Sequence, residues 1–173
     1  MLFLFVSLPF VKGCITTMAL IELYMQNTSK CFIRIFNDAP YRILTYVDFS
    51  KVDPYINNFS FDNYHYMDSL LEFGAIEPKD EALIEDIHYL EVRDFKKGDT
   101  LSVFVFNLDT LYKYPWDVIK SEYKICARYD YTKGTITGDR LYNIHYPPTE
   151  DMKEIHMYPS YETILEQVAS YKK

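Results

Sequence analysis

Apolar and polar side chains alternate with a period of two in one short run after another, and that period belongs to a strand rather than a helix. Leu20, Glu22, Tyr24 and Gln26 alternate with Ile21, Leu23 and Met25. Cys31 to Phe36 repeats the pattern, with Phe32, Arg34 and Phe36 on one side and Cys31, Ile33 and Ile35 on the other, and Tyr41 to Phe49 supplies a third run. The separators, Asn27 to Lys30 and Asn37-Asp38-Ala39-Pro40, have the composition of turns. Connections this short cannot carry a parallel crossover, so an antiparallel meander is expected here. The alternation returns at 100–107, at 122–131 and at 136–146. Thr132-Lys133-Gly134-Thr135 joins the last two into a second hairpin, and Pro147-Pro148 ends it.

Between these runs the period lengthens. Asp62 can cap a helix in which Tyr64, Met67, Leu70, Leu71 and Phe73 recur at helical spacing until Gly74 stops it. Pro78 stands where a first helical residue would stand, with Glu77, Asp80 and Glu81 at the positive end of the dipole and Ala82, Leu83 and Ile87 on an apolar face. A strand then begins near Ile87, and Lys96-Lys97-Gly98-Asp99 turns the chain into the apolar run at 100–107. Pro115 either opens a short helix holding Trp116 or lies in a long connection. From Pro159 to Tyr171, Glu162 in the first turn, Ile164, Leu165 and Val168 on one side and Lys172-Lys173 at the end give the charge order of a helix. The expected class is α+β: an antiparallel sheet of about five to seven strands with two central helices and a C-terminal helix.

A chain of 173 residues suits one domain with one core. Residues 18–173 are assigned to it. The first eleven residues, MLFLFVSLPFV, are apolar enough for the centre of a signal peptide, but no Lys or Arg precedes them and Pro9 and Lys12 interrupt them. Lys12-Gly13 can be encoded by a purine-rich stretch resembling a ribosome-binding site just upstream of Met18. Residues 1–17 are therefore expected to be a non-folding leader or a misassigned start. Asn27-Thr28-Ser29 and Asn58-Phe59-Ser60 would accept glycans only if the chain were exported. Cys14, Cys31 and Cys126 have neither a close pair nor metal-ligand spacing, and an odd, sparse set reads as reduced thiols in a cytoplasmic protein.

Charge narrows the function classes. Seven acids against two bases between 77 and 94 give −5 of the whole chain's −7. No basic stripe is evident that would track a nucleic-acid backbone, and no run is long enough to span a membrane. Phosphate-cradling glycine loops, HExxH, CxxC and GxSxG are all missing. His88, with Glu85 and Glu91 three residues to either side, would share a helical face with them as a metal or acid–base group, but a strand beginning near Ile87 scatters the three. His145 and His156 flank Pro147-Pro148 with Glu150, Asp151 and Glu154 nearby, and His65 lies between Tyr64 and Tyr66.

The expectation is a non-enzymatic binding or inhibitor protein of phage or mobile-element type. It would need no cofactor and would engage a protein partner, possibly basic, through an acidic, tyrosine-rich surface with Glu77, Asp80, Glu81, Glu85, Asp86 and Glu91 as the binding residues. Two other readings stay open: a small hydrolase using His88, or His145 and His156, with neighbouring carboxylates, and a secreted glycoprotein.

Overall fold

A computed structural model describes residues 32–48, 74–84, 100–132, 135 and 141–171. The leader, the run at 20–26, the helix expected from Asp62, the strand expected near Ile87 and both glycan acceptors lie outside them. So do Cys14, Cys31, His65 and His88, and the acids Glu85, Asp86 and Glu91.

Among the described residues, seven strands and three helices follow in order: β1 Phe32–Asn37, β2 Ile43–Asp48, β3 Asp80–Ile84, β4 Thr100–Asn107, α1 Leu108–Lys113, α2 Trp116–Ser121, β5 Ala127–Thr132, β6 Leu141–Tyr146, a 3-10 turn Glu150–Met152, β7 His156–Tyr158 and α3 Tyr161–Ser170. The class is α+β with a C-terminal helix, as expected. The strands form two sheets rather than one, ordered β3-β1-β6 and β2-β4-β5-β7. All pairs are antiparallel except β1 with β6, which runs parallel with Ile35 opposite Ile144.

Three local expectations are corrected. β1 and β2, expected to pair as a hairpin, lie in different sheets, and so do β5 and β6. The reason is burial. Ile33 and Ile35 on β1 and Ile144 on β6 face the same core as Val103 and Val105 on β4, so the chain crosses between layers at the turns instead of folding back within one. The third correction concerns Pro78, which opens a turn and not a helix. Asp80 N–H donates to Glu77 O at 3.1 Å, Lys79 has φ 66°, and β3 follows at once. Proline at the second position and a positive φ at the third define a type II turn. Ala82 sits opposite Ile35 and packs on the core, so sheet pairing outweighs the local helical signal.

The sheets share a core that also takes Met152 and the α3 residues Ile164 and Val168. Tyr129 crosses it, its hydroxyl donating to His145 O at 3.1 Å. On the far face of the four-stranded sheet, Phe104, Phe106 and Leu44 meet Leu108, Leu111, Trp116 and Ile119 in a second cluster. β4 is therefore buried on both faces, which explains its nearly continuous apolar sequence.

Candidate functional site

Three of the six acids singled out from the sequence fall within the described residues. Glu77, Asp80 and Glu81 are all exposed, on the turn before β3 and at its first two positions. β3 is an outer strand of its sheet among the described residues. Glu81 lies on the outward face, where its carboxylate is 3.8 Å from Arg34 Nε, and Asp80 Oδ1 accepts from the Glu81 N–H at 2.9 Å. Asn37 holds this corner from beneath. Fully buried, its side-chain amide donates to Ile76 O and Tyr41 O, both at 2.9 Å, and its Oδ1 accepts from Ala39 N–H at 3.1 Å. Its backbone carbonyl accepts from Lys79 N–H at 2.7 Å. One asparagine thus ties the β1–β2 connection to the acidic turn.

The two described histidines are kept apart. His145 stacks on Phe36 with ring centroids 4.5 Å apart on the outer face of the three-stranded sheet, and its Nδ1 lies 3.2 Å from Asp38 Oδ2. His156, on β7 in the other sheet, places Nδ1 2.8 Å from Asp130 Oδ2. Asp130 is the hub of a buried polar row across the sheet. Ser102 Oγ donates to its Oδ1 at 2.7 Å, Arg128 Nε and Nη2 donate to its Oδ2 at 3.1 and 3.0 Å, and Arg128 Nη1 donates to Tyr123 OH at 2.7 Å. The order is serine, aspartate, histidine. Ser102 gives its proton to a carboxylate and makes no contact with the imidazole, so this row lacks the nucleophile–base contact that serine hydrolysis needs. Among the described residues, no three His, Cys, Asp or Glu side chains are grouped to hold a metal ion. No described helix is long and apolar enough to cross a membrane.

A cleft of about 450 Å³ opens elsewhere, between the ends of both sheets and α3. Tyr41 and Tyr146 contribute two phenols whose hydroxyls lie 2.6 Å apart, and Cys126 lines the cleft beside them. Burial first, then the neighbouring ionisable thiol, pushes both phenols well up, and burial also pushes the Cys126 thiol up. All three are neutral acids at ordinary pH. A protonated thiol is a poor nucleophile, so the geometry gives Cys126 no catalytic activation.

Asn107, Lys124 and Gln167 also line the cleft. Asn107 Oδ1 caps α1, accepting from Asp109 and Thr110 N–H at 2.8 and 3.3 Å. The Lys124 ammonium is 2.6 Å from Glu122 and lies over the Tyr114 ring at 4.5 Å. This cleft escapes sequence reasoning because its phenols are 105 residues apart. Its one local trace is that each stands beside a proline at a strand end, Pro40-Tyr41 and Tyr146-Pro147.

Compared with protein-family models, with curated proteins and with solved structures, the chain gives no significant match.

Proposed function

We propose that this chain is a binding protein that engages a basic protein partner through its acidic surface, acting as an inhibitor of that partner without chemistry of its own. The observation that carries the reading is the corner at Glu77, Asp80 and Glu81, where three carboxylates stand exposed on one turn and the strand it starts. They belong to the most acidic segment of the chain. Exposed carboxylates steer a cationic surface during encounter and fix its register, and a turn pinned by a buried asparagine holds them in place beforehand. Among the described residues the most exposed tyrosines, Tyr112, Tyr158 and Tyr171, are spread over α1, β7 and the end of α3, so the proposed surface is centred on the acidic corner.

The test is capture of a partner from cells that express the protein, with the native chain compared with a variant carrying E77K, D80K and E81Q. Glutamine at 81 keeps a hydrogen-bond acceptor for Arg34 and avoids setting two cations together. The variant is expected to keep the native circular dichroism and lose the protein that the native chain retains. Equal retention of the same protein by both would remove the acidic surface from the account.

A further inference from the structure

Ser102, Asp130 and His156 stand opposite one another on β4, β5 and β7, so the polar row that cannot activate a serine is still a built support for an imidazole. The Asp130 side chain is 9% exposed and held on both oxygens. Ser102 Oγ donates to Oδ1 at 2.7 Å, and Arg128 donates to Oδ2 through Nε at 3.1 Å and Nη2 at 3.0 Å. His156 meets that same Oδ2 with Nδ1 at 2.8 Å, while its own side chain is 73% exposed on an outer strand among the described residues. A carboxylate only accepts, so Nδ1 carries the ring proton and the Nε2 lone pair is left to solvent. A ring oriented in this way by a third group is a nucleophile with its electron pair presented outward. His145 lacks the arrangement. Its Nδ1 is 3.2 Å from Asp38, whose side chain is 56% exposed, and its ring is only 29% exposed and stacks on Phe36.

We propose that His156 is a phosphoryl-acceptor site, modified on Nε2 by a donor of the phosphoramidate class. His156 does not line the cleft described above, and a ring this open suits a group acted on from outside by a donor that brings its own binding surface. In the transfer, Nε2 attacks phosphorus and a new N–P bond forms. The donor's own P–N bond breaks, its electron pair leaving on the protonated nitrogen as ammonia. No proton has to move to or from the imidazole. Nδ1–H stays in place, the phosphorylated ring becomes cationic, and its bond to the Asp130 carboxylate becomes charge-assisted. Asp130 is thus a positioning residue for His156.

Potassium phosphoramidate is the probe, added to the full chain and followed by phosphorus NMR and by peptide mass spectrometry at alkaline pH, where phosphohistidine survives. His156 should be phosphorylated on Nε2 about tenfold faster than His145, and unfolding in urea should abolish the difference. D130N should slow His156 about tenfold and leave His145 unchanged. Two-bond proton–nitrogen correlations supply a readout that loss of packing alone would not move. In the native chain they should place the proton of the neutral His156 ring on Nδ1, and in D130N they should shift it towards Nε2, the tautomer that free histidine prefers. Should D130N unfold, the tautomer of the native ring and its rate against His145 still decide. Equal rates for the two rings in the folded chain, a product on Nδ1, or a neutral native ring with its proton on Nε2 would overturn the assignment. So would a folded D130N whose His156 reacts as fast as in the native chain.

Discussion

Asn37 shows how much of the proposed surface rests on one side chain. It is fully buried, and its two amide donors and one acceptor all meet backbone groups, among which the Ile76 carbonyl also accepts from Ile43 N–H at 3.1 Å. In N37A, the Tyr41 carbonyl and the Ala39 N–H lose their Asn37 partner together, at about 1–3 kcal/mol for a buried group left unmade, while the Ile76 carbonyl keeps only its bond from Ile43 N–H. Because the bonds belong to one residue the losses are not additive, and a net destabilisation of about 3 kcal/mol is expected. Urea unfolding measures it. The same substitution frees the turn that presents Glu77, Asp80 and Glu81, so partner capture should weaken even under conditions where N37A remains folded. A change below about 0.5 kcal/mol would mean that the turn is held by other contacts.

Asn37 also marks the limit of sequence reasoning. Read locally, Asn37-Asp38-Ala39-Pro40 is a turn, and it is one. That its asparagine clamps a second turn 39 residues away could not be read from composition.

At the scale of elements, what was legible followed from short-range signals. The alternation in Phe32–Asn37, Ile43–Asp48, Thr100–Asn107, Ala127–Thr132 and Leu141–Tyr146 identified strands. The tail helix was legible from its own charge order, and Ser160 caps it by accepting from Thr163 N–H at 3.3 Å. Pairing was not legible. Which strand lies beside β1 depends on β6, more than a hundred residues on, and a two-residue period gives the faces of a strand but not its neighbour. The Glu77–Ile84 segment misled for a related reason: Pro78 and the acids suit a helix start and a type II turn equally well. Only pairing with β1 separates the two.

The candidate sites were legible to different degrees. The acidic corner was visible as a run of like charges, whereas the cleft, built from β4, the β1–β2 connection, β6 and α3, leaves almost no local trace. The histidines were visible as residues, but their separation into two sheets is a fact of topology.

At the scale of the whole molecule, several buried weak acids share the core of the described residues. Burial pushes Tyr129, Tyr131, Tyr146 and Tyr41 up, and the Cys126 thiol with them. Each keeps its proton in the folded chain to a higher pH than in the unfolded chain. Their stabilising contribution is therefore complete below the ordinary thiol and phenol values, about 8.5 and about 10, and is lost as pH rises beyond them. Each group that ionises only on unfolding lowers stability by about 1.4 kcal/mol per pH unit in that range. Urea midpoints should therefore fall steeply above about pH 10, and the buried phenolates should appear in absorbance together with the loss of circular dichroism. Full phenol titration in a chain that keeps its native spectrum would contradict the burial described here.

Binding is the claim that matters most at this scale, since it gives the acidic corner its purpose. It is tested most directly by the affinity of the purified partner for the native chain and for the E77K, D80K, E81Q variant as salt is raised. Between about 0.01 M and about 1 M the Debye length shrinks from about 30 Å to about 3 Å, so contacts made by exposed carboxylates weaken strongly. The account predicts that native affinity falls steeply over that range and that the variant binds weakly with a shallow salt dependence. Affinity that ignores salt, and is the same for both chains, would contradict it.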